Sequence, residues 1–475
     1  MAEQHYDLLI IGAGAAGSTA ATTAAQHNAR VVMVERDKIG GTCLNYGCDP
    51  TKTLLYIAER LYQAQHASRY GLRISSAAIT WEEVQAYVRQ VINSIRGGTS
   101  NEASEELKKN GVEVIQGEAR FISPHEVVVT SKQDGQKGSE EHAIFAERII
   151  IASGSETIIP PIEGLNTTGF ITNVEAVALP SLPGRLAVVG GGAIGIEFAQ
   201  MFRRFGVEVT VLEHSPLLLN KEDREVADQL VGLLNKEGIR TETGIELLSV
   251  HRAENGKHLK FRTSTKIEEE LEVDEILLSI GRKPTLETLN LEAAGVEATK
   301  KGITVDAMLR TNVEHIWAAG DITGTYQFTH FAYEQGKVAS QNAFAQQPQP
   351  FGDRVIPWVT FTDPPLSHVG KTEEELREAG MEYTVGRMQF KDVERAVSQG
   401  ATDGLVKLLV DTQGKILGGH ILGTRADDLL APIVVAMQAG LPASALASTI
   451  LPYPTLSEGV RWAADRIEVK NDSKG

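Results

Sequence analysis

The sequence predicts an α/β protein with two Rossmann-like dinucleotide-binding domains and a C-terminal α+β domain. Three observations lead there. An apolar, strand-like run over 6–11 enters Gly12-Ala13-Gly14-Ala15-Ala16-Gly17, then an Ala-rich helix to about 26 and a second strand, 30–34, ending in Glu35. The pattern returns at 185–189, with Gly190-Gly191-Gly192-Ala193-Ile194-Gly195, a helix to about 205 and the strand 208–212 ending in Glu213. From about 350 the periodicity changes: strands at 355–361, 382–390, 404–411 and 415–422 precede helices at 426–439 and 457 to about 464.

Each glycine turn has a physical reading. The first glycine permits the tight turn, the second lets backbone approach a pyrophosphate, and the third lets helix pack on strand, while the helix N-terminus stabilises phosphate charge. Such turns occur in many folds; strand before, helix after and an acidic residue closing the next strand are what make these two specific. Glu35 can accept hydrogen bonds from an adenosine ribose. Glu213 would bond a ribose 2′-hydroxyl and repel a 2′-phosphate, so NADH is favoured over NADPH, although Lys221 and Arg224 follow closely enough to keep NADPH open.

Between the units, 81–111 reads as helical and charged and 112–131 as short strands, and 149–155 followed by Pro160-Pro161 marks a crossing. The expected boundaries divide the chain into regions over 1–150, 151–280, 281–348 and 349–475. A length of 475 residues suits several domains. The formal charge of -16 argues against a polyanionic partner such as nucleic acid. A basic n-region and a run of roughly 20 apolar residues are both lacking, so the expectation is a cytoplasmic protein away from membranes. Two cysteines are too few for a disulfide framework, and both fall in one short segment, which suggests chemistry.

That segment is Gly40-Gly41-Thr42-Cys43-Leu44-Asn45-Tyr46-Gly47-Cys48-Asp49-Pro50-Thr51-Lys52. Buried, inert cysteines are common; close spacing and a following helix, whose N-terminus favours a thiolate, point instead to a redox pair. Asp49-Pro50 reads as a helix start, with Asp49 as the cap. Together with the two nucleotide folds, Gly320-Asp321 and Pro454-Thr455-Leu456-Ser457-Glu458, this segment resembles the class I pyridine nucleotide-disulfide oxidoreductases, which include dihydrolipoamide dehydrogenase, glutathione reductase and mercuric reductase.

The resemblance implies an FAD site built from Gly12, Gly14, Ala15, Ala16, Gly17, Glu35, Gly41, Thr42, Lys52, Ala152, Ser153, Gly154, Gly320 and Asp321. It implies an NAD(P) site from Gly190, Gly192, Ala193, Ile194, Gly195, Glu197, Glu213 and Gly281. Cys43 resembles the interchange thiol that meets substrate, and Cys48 the thiol beside the flavin. Lys52 and Glu197 resemble the family's ion pair near the flavin N5. It further implies an FAD-binding domain over 1–150 with a return segment over 281–348, an NAD(P)-binding domain over 151–280 and a dimerisation domain over 349–475, in a homodimer with Tyr453 needing the partner chain to face Cys43.

The chain departs from the disulfide reductases at Tyr453, where they carry a His oriented by the Glu, here Glu458. A phenol with a reference pKa of ~10 donates a hydrogen bond but is a poor general base. Mercuric reductases resemble this chain in placing Pro-Tyr there. A soft metal ion needs thiolate ligands and no proton for a leaving thiol. Mercuric reductases also typically add a C-terminal cysteine pair, and this chain's last residues, 466–475, hold none. The expected acceptor is a metal ion, with Cys43 and Cys48 as its candidate ligands, or another thiol-reactive compound; no structural metal is expected. The alternative is a dihydrolipoamide dehydrogenase-type disulfide reductase with an altered acid-base residue.

Overall fold

The computed structural model describes residues 4–132 and 139–467; the part of the cysteine-free tail from 468 onward lies outside them. The first sheet has seven strands, centred on Gln4–Ile11, which pairs in parallel with Val31–Glu35 on one side and Ser139–Ile151 on the other. Leu8, Leu9 and Ile10 are fully buried, because helices cover one face and strands with their loops the other. The short strand Ile316–Ala318 joins this sheet by pairing with residues 149–151, which carries Gly320 back to the mouth of the first glycine turn. The helices Ala15–Ala25 and Thr329–Phe344 cross so closely that a Cβ on Gly336 would lie 2.1 Å from the Ala16 carbonyl oxygen, so small residues there set the approach.

A second parallel sheet orders Arg240–Thr243, Glu208–Glu213, Arg185–Val189 and Glu275–Leu278, with an antiparallel meander of three strands, Glu246–Ala253, Gly256–Arg262 and Glu268–Val273, beside it. The third is a five-stranded antiparallel sheet, Pro357–Thr360, Leu366–Gly370, Ile416–Leu422, Leu405–Val410 and Thr384–Gln389. Its second strand escapes the sequence reading, since Pro364, Pro365 and Gly370 read as turn signals around a short run.

A buried ionic knot joins the second and third sheets. Lys407 is 1% exposed, and its Nζ lies 2.8 Å from Asp223, 2.6 Å from Glu373 and 3.1 Å from Glu225. Burial works against the ammonium charge, but the three carboxylates hold it above the ordinary lysine range. Burial likewise pushes Asp223 up, and the fields of His420 and Lys407 with their hydrogen bonds more than offset it, leaving Asp223 below the usual carboxylate range.

Candidate active site

Cys43 lies in the single-turn helix Gly41–Tyr46, and Cys48 is the first residue of Cys48–Gln65. Gly47 lies between them in a tight spot: a Cβ would meet the Thr42 carbonyl oxygen at 3.0 Å and the Cys43 Cα at 3.4 Å, so a side chain there would push the backbone apart. Both thiols are free and half-buried. The Thr329 hydroxyl lies 3.3 Å from the Cys48 Sγ. One turn beyond Cys48, the Lys52 Nζ donates to Glu197 at 2.7 Å, and the ammonium sits 4.5 Å over the Phe361 ring. Glu197 is 4% exposed, and its other oxygen accepts the Phe361 amide at 2.8 Å. Lys52 is therefore held from two sides.

These contacts make the two thiols unequal. The Cys48 thiol is lowered to about 6, chiefly by a hydrogen bond from Cys43; burial opposes this, and Thr329 and Lys52 add to it. Cys43 is pushed far up by donating that bond and by burial. The first proton therefore leaves Cys48, and Cys43 keeps its own.

Two joined clefts lead to the pair. The larger, about 610 Å³, runs from Gly12, Glu35 and Lys38 past Gly41 and Ser153 to Thr285. The smaller, about 200 Å³, is walled by Ala15, Ala16, Cys43, Cys48, Lys52, Gly320 and Asp321 on one side and by Ile194, Glu197 and Phe198 on the other. Gly14, Thr42, Ala152, Gly154, Ser155 and Arg282 line both. The first turn fits a bound dinucleotide. A Cβ on Gly14 would enter open space in the cleft, whereas one on Gly17 would lie 1.8 Å from the Gly12 carbonyl oxygen, so the helix N-terminus is seated tightly against a free approach.

The acidic strand ends are preorganised in the same way at both turns. Glu35 accepts the amides of Ala13 at 2.7 Å and Asp37 at 2.8 Å. Glu213 accepts those of Gly191 and Ser215, each at 2.6 Å. Each carboxylate is thus fixed at its turn with lone pairs to spare. The helix Ala193–Arg204, which starts beside Gly190, Gly192 and Gly195, reaches the thiol cleft through Ile194 and Glu197. Gly281 precedes Arg282, whose guanidinium bonds the Ser155 hydroxyl at 2.8 Å, and that hydroxyl donates to Asp321 at 2.5 Å. Burial lowers the pKa of the Arg282 guanidinium from its ordinary value, and the Asp321 carboxylate opposes this.

Tyr453 stands apart. It is 71% exposed and lines neither cleft, while Glu458, buried nearby, accepts the Thr455 amide at 3.2 Å. Asp49 does not cap the helix as the sequence suggests. The helix begins two residues earlier, Gly47 occupies the cap position, and no side chain caps it. Thr329, Phe361 and Arg282 escape the sequence reading, since each is brought in by the fold and carries no local motif. Among the described residues, no cluster of three or more His, Cys, Asp or Glu side chains could hold a metal ion, and no helix is long and apolar enough to cross a membrane.

Comparison with known proteins gives this geometry a family. The pyridine nucleotide-disulphide oxidoreductase pattern matches residues 6–336, and the dimerisation domain of the same family matches 356–464. A dihydrolipoyl dehydrogenase from Thermus scotoductus is 36% identical, covering 97% of each chain. A mercuric reductase from Staphylococcus aureus is 35% identical over 97% of this chain and 82% of its own. The Cu(II) complex of the HOCl-induced flavoprotein disulfide reductase RclA from Escherichia coli superposes with a TM-score of 0.86 at 31% identity, covering 98% of this chain and 100% of that one. With both patterns matched in order and relatives aligned along nearly its whole length, the chain belongs to the pyridine nucleotide-disulphide oxidoreductases, FAD-dependent enzymes that use a pyridine nucleotide and a redox-active disulfide.

Proposed function

We propose that the protein oxidises NADH to reduce Cys43–Cys48 and that this dithiol reduces a thiophilic metal ion, Cu(II) or Hg(II). The observation that carries the acceptor is the thiol cleft: no histidine lines it, and position 453 offers only an exposed phenol. Breaking a disulfide substrate needs a proton for the leaving thiol, whereas a metal ion needs only thiolates. The S. aureus mercuric reductase and the Cu(II) complex of RclA support this choice.

Gly12, Gly14, Gly17, Glu35, Gly41, Thr42, Ala152, Ser153, Gly154, Gly320 and Asp321, with Ala15 and Ala16, would hold FAD, which when bound would supply two-electron transfer between nicotinamide and the disulfide. Gly190, Gly192, Ala193, Gly195, Glu213 and Gly281 hold the nicotinamide cofactor. The Glu213 carboxylate, fixed by two amides, reads the ribose and favours NADH. Lys52, oriented by Glu197, keeps positive charge beside the cleft, and Cys48 carries the first thiolate. The balance is NADH plus disulfide plus one proton giving NAD⁺ and two thiols. Two Cu(II) then take two electrons, restoring the disulfide and releasing two protons and two Cu(I). A homodimer is part of this reading, supported by the dimerisation-domain match and by Ile450 and Tyr453, exposed at 92% and 71%.

The test is an acceptor screen with Cu(II), Hg(II) and lipoamide, using NADH and NADPH. Metal-dependent oxidation lost in Cys43→Ala supports the proposal; brisk lipoamide turnover with no metal response favours the disulfide-reductase reading, which the T. scotoductus relative supports.

A further inference from the structure

We propose that Asp49 is a specificity-determining residue of the dithiol, placing a carboxylate on its solvent side that selects cationic acceptors and turns away anionic ones. This rests on the reading of Cys43–Cys48 as the electron-delivering pair and deepens its choice of acceptor.

Asp49 occupies the first turn of Cys48–Gln65, directly after the buried-side thiol, and is half-exposed. Helix capping, the ordinary use of an aspartate there, does not absorb it: Gly47 is at the cap, and no side chain caps the helix. Among the described residues its carboxylate forms no ion pair; the bond at this position is the Thr53 hydroxyl on the Asp49 main-chain carbonyl at 2.7 Å. The cleft that holds Cys43, Cys48, Lys52 and Thr329 excludes both Asp49 and Tyr333, so these two lie outside the walls on which the dinucleotides converge. Tyr333 follows Thr329 by one helical turn and is 47% exposed. Burial, then Cys43, Asp49 and Cys48 in that order, hold its phenol protonated, and Asp49 also acts on both thiols. Asp49 directly follows Cys48 in the first helical turn and is half-exposed, so its charge lies next to the dithiol and is open to solvent.

The other charges near the pair cancel. Lys52 is bound to Glu197, and Arg282 is joined to Asp321 through the Ser155 hydroxyl. Two cations face two carboxylates, and Asp49 adds a negative charge to that of the Cys48 thiolate; burial raises its carboxyl, and the Lys52 ammonium opposes this. The long-range field has the same sign, since the whole chain carries -16. A hydrated divalent cation approaching Cys43 meets attraction at both ranges, and an acidic disulfide meets repulsion at both.

The experiment uses the NADH-reduced holoenzyme, kept anaerobic, and a charge series of methanethiosulfonates of similar size: the 2-aminoethyl compound as cation, the ethyl compound as neutral reference and the 2-sulfonatoethyl compound as anion. Each transfers its thiol half to a thiolate and leaves as methanesulfinate, so no proton donor is needed, and Cu(II) turnover is measured alongside. In Asp49→Asn, the second-order rate of thiol modification by the cation and kcat/KM for Cu(II) should fall about tenfold, the rate with the anion should rise about tenfold and that with the neutral compound should hold. Asp49→Glu should restore the native order. In the unsubstituted enzyme, rising salt should slow the cation and speed the anion, a reading that needs no variant. Equal changes across the series, or a native enzyme indifferent to charge and salt, would overturn the proposal. The expected charge order without any Cu(II) turnover would sustain Asp49 as selector while removing the metal-reductase reading. Cu(II) turnover with a flat series would do the reverse.

Discussion

Replacing Thr329 with valine removes one hydroxyl and keeps the branched shape, so it isolates what the 3.3 Å contact does for the Cys48 sulfur. A hydrogen bond to a charged group contributes ~1.5 to 3 kcal/mol, and a sulfur acceptor belongs at the lower end. At ~1.4 kcal/mol per pKa unit, the loss moves the Cys48 thiol up by about one unit from its native value of about 6. At pH 6 the thiolate share then falls from about half to roughly a tenth. The assay is the pH dependence of thiolate ultraviolet absorbance in reduced enzyme, with Cys48 alkylation rates as a second probe. A thiol whose first ionisation stays put or moves down in Thr329→Val would refute the assignment of Thr329 as a donor to the thiolate.

Other predictions follow from single contacts. Lys407→Met strands Asp223 in the interior without its cation and should cost ~3 to 5 kcal/mol in urea unfolding near neutral pH. Because Asp223 sits below its unfolded value, its contribution is present above the usual carboxylate pKa and lost as pH falls through the folded one, so native and variant stabilities should converge in acid; a loss under ~1 kcal/mol at neutral pH would contradict the knot's role. Gly17→Ala drives a methyl into the Gly12 carbonyl and should yield protein that purifies without flavin colour; a fully yellow variant would contradict the packing argument. Glu213→Gln should raise the KM for NADH about tenfold or more and leave NADPH unharmed, read from initial rates; equal losses with both coenzymes would show that the carboxylate serves only the turn.

Much of the fold was legible because its instructions are local. Glycines at 12, 14 and 17 and again at 190, 192 and 195 are spaced by the demands of one turn, and the acidic strand ends follow at a fixed distance. Cys43, Cys48 and Lys52 share one short segment, so their proximity needed no tertiary information. Thr329 is 281 residues from Cys48, and Phe361 meets Glu197 across 164; nothing local marks either, since a sheet return and a third domain bring them together. The strand Leu366–Gly370 was hidden by its prolines and glycine. Asp49 misled because Asp-Pro is a frequent helix start, yet here the helix begins at Cys48, with Gly47 ahead of it.

The central claim is that electrons leave through the Cys43–Cys48 dithiol to a metal ion, and thiol counting tests it most directly. NADH-reduced enzyme, freed of excess coenzyme and kept anaerobic, is titrated with Cu(II) while free thiols and Cu(I) are measured together. The account predicts two Cu(I) formed as the two thiols of each chain disappear, with Cys43→Ala yielding no such coupled loss. Cu(I) appearing at the same rate in Cys43→Ala, or thiols persisting while lipoamide but no metal reoxidises them, would contradict it.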